Sequence, residues 1–422
     1  MIKKILYALL AVIIYSSCSS SDNKPDPRII DPLEKSSKRT VLIYIAGANS
    51  LGGTSRDTRF DIDDMKEMLE GMDQVSSCDL LNTNILVFHQ PYRGDFNNQG
   101  ASKREAAKLY RLTKDLEKDK GEFVAVKNYK DTDISTDPVF MGRIFQEVYT
   151  DYPADSYGLV MWSHADGWLE GTPAPRTRWI GEDIYENKSY KMDILDFKKA
   201  LAKAPYLDFI HFDLCLMQTV EVAYEMQGEA HYTFGSPAEI PGPGSPYDKM
   251  IPIYFSPKKD IVKKLAETYY KFYASTYTGN SVSNYPWRGG VSMSIFDITK
   301  VGVFAEATRD LLANQSMLYD ELKYQYAFYY DPKPDGKHYY SDIIDLLKKS
   351  NVEITADWMV AYNDFVPYFE TTAKNYSGVD KRDFSMAGSH GVSMYIPRKD
   401  NPRFTAEDIY YKALPWYKFI SQ

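Results

Sequence analysis

Two periodicities alternate along this chain. Residues 40–46 (TVLIYIA) form an unbroken apolar, β-branched run that stops at a glycine-containing loop, residues 47–53 (GANSLGG). A short run of that kind predicts a strand buried on both faces. Residues 84–89 (NILVFH), 157–162 (YGLVMW) and 207–212 (LDFIHF) repeat the pattern, and residues 231–234 add a shorter fifth strand. Between them the period changes. Phe60, Met65, Met68 and Leu69 stand among acids at helical spacing, and Phe140, Ile144, Phe145 and Val148 fall on one face of a helix over residues 138–149. Residues 193–204 predict a third helix, and residues 127–136 a loop. Strands that alternate with helices imply βαβ units, hence an α/β fold with a mainly parallel sheet covered on both faces. Residues 290–296 and 391–396 are expected to extend that sheet. The tract between them, about 301–376, is helix-rich and carries tyrosine clusters such as residues 324–330.

The first 38 residues follow a different pattern. Lys3 and Lys4 precede an apolar run over residues 5–15, then Ser16, Ser17 and Cys18. That run is shorter than the roughly 20 apolar residues a spanning helix needs, and it reads as a secretory signal. A cysteine directly after small residues resembles a bacterial lipoprotein cleavage site, at which Cys18 would be lipidated; Tyr15 stands where an aliphatic residue is usual. An ordinary signal peptide with an incidental cysteine is the alternative. Residues 19–38 are polar and proline-containing, as a tether would be. The expected organisation is therefore a signal over 1–18, a tether over 19–38, a principal domain over 39–300 and a helix-rich region over 301–422 that returns a strand to the sheet. The expected location is the bacterial cell envelope, with contact to the membrane through the N-terminal lipid.

Composition narrows the function classes. Of 422 residues, 44% are hydrophobic and 26% charged, and a net charge of −8 without a basic stripe argues against nucleic acid as a partner. The 35 tyrosines suit either a large packed core or exposed rings that bind glycans or partners. Only Cys78 and Cys215 follow the leader, too few for a disulfide scaffold, although one bridge between them stays open.

The candidate chemistry lies at two strand ends, where open α/β sheets form their sites. One strand runs into residues 162–168 (WSHADGW) and the next into residues 213–215 (DLC). If those strands are neighbours, His164 and Cys215 emerge side by side, as a thiol nucleophile and its proton acceptor require. Met217, Val220, Ala223 and Tyr224 then recur at helical spacing, which would place Cys215 near a helix N-terminus that favours the thiolate. The competing reading is a buried small hydrophobe. His89, His211 and His390 also sit at strand termini, and Ser163 lacks the Gly-x-Ser-x-Gly elbow of a serine hydrolase.

Taken together, residues 158–168 (GLVMWSHADGW) and 212–225 (FDLCLMQTVEVAYE) resemble the paired histidine and cysteine blocks of the clostripain family of clan CD cysteine peptidases, relatives of caspases, gingipains and legumain. The resemblance runs from Val41 to about Tyr247. It implies a caspase-like α/β/α sandwich with a helix-rich C-terminal addition, and a peptidase without an obligatory cofactor. It implies Cys215 as nucleophile, His164 as general base and acid, and backbone N–H groups at Ala165 and Cys215 as the oxyanion site. Asp213 corresponds to the acid at the floor of the pocket for a basic side chain, with helix capping as its other reading. Glu239 is expected as a second wall of that pocket, and Asn49 near the substrate. Three departures stand out: Ala165 replaces Gly, Leu214 replaces Ala, and the first loop lacks an acid. Calcium supports some members, and Asp61, Asp63 and Asp64 would be its ligands here; without calcium-loop spacing they read first as a charged helix face. Self-cleavage, known in some members, would fall in residues 170–191, which carry Arg176, Arg178, Lys188 and Lys191; a solvated basic loop is the other reading.

The expected protein is thus an exported, membrane-anchored cysteine endopeptidase whose protein or peptide substrates carry Arg or Lys before the cleaved bond. Its rival is a catalytically degenerate lipoprotein that binds peptides or glycans.

Overall fold

The computed structural model describes residues 39–53, 58–93, 104–168, 179–257, 259–280, 287–332, 338–398 and 405–422. The expected signal, tether and Cys18 lipidation site lie outside them. The apolar runs become β1 (Arg39–Ala46), β2 (Thr83–Gln90), β5 (Ser156–Trp162) and β8 (Leu207–Asp213), followed by β9 (Ala230–Gly235). These five strands are parallel. Two antiparallel strands, β3 (Lys108–Asp115) and β4 (Lys120–Asn128), close one edge, and β10 (Ser292–Asp297) and β12 (Tyr368–Thr371) close the other. The sheet order is β12-β10-β9-β8-β5-β1-β2-β3-β4.

Alternation along β1 explains the two layers. Leu42, Tyr44 and Ala46 enter one apolar cluster, and Val41, Ile43 and Ile45 enter the other. The first cluster gathers α2 (Pro138–Asp151), α3 (Ile194–Leu201) and α4 (Val220–Glu225), with α7 (Val301–Asn314), α9 (Ala356–Phe365), α10 (Thr405–Ala413) and α11 (Pro415–Ile420) from the C-terminal tract. The second gathers α1 (Phe60–Asp73), α5 (Tyr247–Tyr254) and α6 (Ile261–Thr276). This is the α/β/α sandwich with its mainly parallel sheet. The predicted face of α2 is buried as expected, and Asp137 caps it by accepting the Phe140 N–H while Pro138 occupies the first turn.

Three features differ from the sequence reading. The strand returned by the C-terminal tract is β12, whereas the 391–396 run supplies only β15 (Ser393–Met394), which pairs with β11 (Ser341–Asp342) outside the large sheet. The pair β3–β4 is half-exposed and mixed in polarity, so it lacks the apolar runs that mark the central strands. A second hairpin, β6 (Ile180–Tyr185) and β7 (Lys188–Met192), turns through Glu186 and Asn187. Both have positive φ, as a two-residue hairpin turn requires. A third small hairpin, β13 (Lys374–Ser377) with β14 (Arg382–Ser385), and the short helix α8 (Ile343–Lys349) complete the elements used below. No described helix is long and apolar enough to cross a membrane.

Candidate active site

β5 and β8 are direct neighbours, and Trp162 pairs with Asp213. His164 and Cys215 each lie two residues beyond that pair. In a parallel pair, residues in register share a face and the period is two. That alternation ends with the strands, at Trp162 and Asp213; in the loops beyond, the imidazole and the thiol both line one cavity of about 360 Å³. The other strand-end histidines lie elsewhere. His89 is buried on Asp61 (2.9 Å), His211 is stacked on Phe234 inside the sheet, and His390 holds Asp342 (2.8 Å).

Burial lowers the proton affinity of His164 from its ordinary value; the nearby Glu182 carboxylate opposes this and the Lys191 ammonium adds to it. The ring is thus a neutral base at neutral pH. Its Nε2 lies 2.6 Å from the Ser50 hydroxyl. Ser163, next in the chain, takes no part in the cavity's chemistry. Its hydroxyl donates to the Ala46 carbonyl (2.9 Å) and accepts from the Asn49 amide (3.0 Å) and the Glu182 N–H (3.1 Å), tying three loops together.

Cys215 is a half-buried free thiol, so no bridge to Cys78 exists. The expected helix start is absent. α4 begins at Val220 with Thr219 as its cap, and Cys215 sits in the preceding loop, where Leu216 takes a left-handed φ of 59°. Burial first, then the Glu239, Asp166 and Asp213 carboxylates, push the thiol up to about 12, against a single N–H from Ile240 (3.4 Å). The resting sulfur is therefore protonated, and a base must take its proton before it can attack.

Asp213 ends β8, almost fully buried, and lines the cavity. One carboxylate oxygen accepts the Ser245 N–H (3.1 Å) and the Tyr247 hydroxyl (3.0 Å); the other has no partner. Burial pushes the carboxyl up to about 6. Because Thr219 caps α4, Asp213 is not the helix cap. Glu239 also lines the cavity, and its carboxylate accepts from the Ser377 hydroxyl (2.7 Å) and the Gly378 N–H (2.8 Å). It thereby fastens the β13–β14 hairpin as a wall beside the sulfur.

Asn49 does not face the cavity, contrary to the sequence expectation. It is fully buried: its amide donates to Ala46 O (2.7 Å), Ser163 Oγ and Glu182 O (3.1 Å), and its oxygen accepts the Leu51 N–H (2.9 Å). Its work is to shape the loop that carries Ser50 and Leu51. The two substitutions beside the cavity carry no visible cost. Ala165 has no positive φ, and Leu214 is fully buried in the apolar cluster. Around Ala165 the strand bridge to Ile180 uses the Asp166 N–H and the His164 carbonyl, which directs the Ala165 N–H away from that bridge. Gly167 (φ +65) is required: a Cβ there would lie 2.7 Å from the Tyr340 ring and 2.8 Å from Leu216 O. The Tyr340 hydroxyl donates to the Asp166 carbonyl, so the C-terminal tract braces the histidine loop.

Asp61, Asp63 and Asp64 face separate partners: Arg59 and His89, Lys66, and the Trp162 indole. Of the proposed cleavage residues, Arg176 and Arg178 lie outside the described residues. Lys188 is exposed, whereas Lys191 lies over the Trp179 ring beside Glu182. Sequence reasoning missed Ser50, Tyr340 and the 374–385 hairpin. Only the glycine-flanked 47–53 loop gave a local signal for any of them.

Comparison with known proteins places the fold. The clostripain family's sequence pattern matches residues 43–421. A secreted C11 cysteine protease from Bacteroides thetaiotaomicron, solved with an irreversible peptide inhibitor, is 36% identical. It aligns over 91% of this chain and 98% of its own, with a TM-score of 0.76. An inactive zymogen C11 protease from Parabacteroides distasonis is 28% identical over the same shares, with a TM-score of 0.70. Clostripain from Hathewaya histolytica is 26% identical over 234 residues, 51% of this chain and 42% of that protein, so the match spans less than half the length of clostripain.

Proposed function

Because this chain belongs to the clostripain family of cysteine peptidases, we propose that it is an endopeptidase that cuts after arginine or lysine, with Cys215 as nucleophile and His164 as proton carrier. One observation carries this reading: a thiol and a neutral imidazole from adjacent strand ends share a cavity whose wall holds a buried, incompletely partnered carboxylate. A guanidinium or ammonium group supplies the donors that Asp213 lacks. It also brings positive charge toward the carboxylates that hold the thiol protonated.

The steps follow from the groups present. His164 takes the thiol proton as sulfur attacks the scissile carbonyl carbon, and the oxyanion forms near the Ala165 and Cys215 N–H groups. The C–N bond then breaks, His164 gives its proton to the departing amine, and an acyl thioester remains. Water attacks that thioester with its proton passing to His164; the acid leaves, and the proton returns to sulfur. Every step draws on this chain's own groups, without a cofactor. The leader supports export and lipid anchoring at Cys18. The rival binder drew on Ala165, Leu214 and the missing acid; the first two cause no strain or obstruction.

The test is covalent. A peptidyl arginyl chloromethylketone is expected to add to Cys215 of the folded protein, read as a mass shift on the peptide that contains it. Recovery of the unmodified thiol would overturn the reading in favour of the binder. Charge beside the sulfur has its own consequence. Glu239→Gln removes a negative charge that disfavours the thiolate, and its single oxygen can still accept the Gly378 N–H while its amide donates to the Ser377 hydroxyl. It is expected to shift alkylation of Cys215 by iodoacetamide to lower pH, checked by rate-against-pH curves for the two proteins.

A further inference from the structure

Ser50 has no part in the steps above, yet its hydroxyl makes the one hydrogen bond of the His164 ring among the described residues, at 2.6 Å from Nε2. The loop that carries it is held from all sides. Gly47 N–H donates to Gln90 O (3.0 Å) in front, and Ala48 O accepts from the Ile184 N–H (2.7 Å) behind. Asn49, with both ends of its amide engaged, caps the short turn Ser50–Gly52. Gly52 packs so closely that a Cβ on it would lie 1.9 Å from Gly47 O. A half-buried serine on a loop this constrained is placed rather than free to sample rotamers at random.

We propose that Ser50 is a positioning residue: it accepts a hydrogen bond from the Nε2–H of His164 and so presents the opposite ring nitrogen, Nδ1, to the thiol. This rests on the assignment of Cys215 and His164 made above. A neutral imidazole carries one proton, and which nitrogen holds it is set by the partner of the other. With Nε2–H directed at Ser50 Oγ, Nδ1 keeps its lone pair and can take the sulfur's proton: the S–H bond breaks, an N–H bond forms, and the products are thiolate and imidazolium. The imidazolium still donates to Ser50, so the contact strengthens as charge develops on the ring. The role corresponds to that of the third group which orients the base in a nucleophile–base pair.

The test compares wild type, Ser50→Ala and Ser50→Thr. With an arginyl amide substrate, S50A is expected to lose roughly 10- to 100-fold in kcat with little change in KM, a part of the 10²–10⁴ that a general base contributes. S50T, which keeps a hydroxyl, is expected to recover most of it. Alkylation of Cys215 by iodoacetamide, a neutral reagent that needs neither turnover nor Asp213, provides a second readout. Without the acceptor the imidazolium is less stable, so the acid limb of the alkylation curve moves to lower pH in S50A and its plateau falls. Wild-type kcat in S50A, or a gain that marks Ser50 as a block on Nε2, would overturn the proposal while leaving Cys215 and His164 in place. Should the wild type not turn over the amide, the peptidase assignment fails, and the alkylation curves alone decide Ser50: superimposable curves for wild type and S50A sink it. Circular dichroism melts confirm that each variant is folded.

Discussion

Replacing Cys215 by alanine is expected to remove cleavage of an arginyl fluorogenic amide, with kcat falling on the order of 10⁴-fold or more. No described group besides His164 stands ready to attack from the same strand ends. Ser163, the adjacent hydroxyl, is committed to Ala46, Asn49 and Glu182 and cannot substitute. His164→Ala is expected to be nearly as severe, because the thiol sits at about 12 and does not ionise unaided at neutral pH. The pair acts as one unit, so the double variant should be no worse than the poorer single one. Full activity in Cys215→Ala would show that the sulfur is only a packing group.

The second large effect concerns specificity. Asp213→Asn keeps the shape and the acceptors for Ser245 and Tyr247 but removes the charge. Truncating one partner of a buried charge pair typically costs about 2–5 kcal/mol, so kcat/KM for arginyl and lysyl substrates is expected to fall by roughly 30- to 5,000-fold. A citrulline substrate, neutral but similar in shape, should be much less affected. The pH dependence follows in sign. In the free enzyme Asp213 gains a proton as pH falls through about 6 and ceases to pair with a cation. Wild-type kcat/KM for a basic substrate should therefore fall through that range, and the variant should lack that limb. His164, whose proton affinity burial lowers from its ordinary value, keeps its own limb in both proteins. Stability moves the opposite way. The folded protein holds the Asp213 proton more tightly than the unfolded chain does, so the associated stability is present at low pH and lost as pH rises through about 6. Asp213→Asn should consequently melt no lower than wild type at pH 8. A drop in Tm together with lost activity would indicate a structural role instead.

Legibility followed the physics of each segment. The central strands β1, β2, β5 and β8 were readable because burial on both faces demands continuous apolar runs. The β5–β8 neighbourhood could be expected because consecutive parallel strands often lie side by side, whereas β5 follows β2 in the chain yet pairs with β1. The edge hairpins β3–β4 and β6–β7 face water, so their mixed polarity left no such run. The 391–396 tract is apolar and fully buried, yet it serves a two-residue pairing with β11; apolar character records burial but not which sheet a strand joins. Asn49 shows the same limit at the site. Its position beside the strand end was correct and its role was not, because burial and four hydrogen bonds, rather than sequence position, decide what an amide faces.

By itself, the sequence determined the alternating architecture, the strand ends that carry His164, Asp213 and Cys215, and the motif that marks the family. These depend on local periodicity and on short-range order along the chain. Only the tertiary structure decided the proton state of the sulfur, the vacant oxygen of Asp213, the hairpin clamped by Glu239 and the hydroxyl at His164. Each of those depends on dielectric and distance between segments far apart in the chain, and no linear pattern encodes how deeply a charge is buried or which distant donor reaches it.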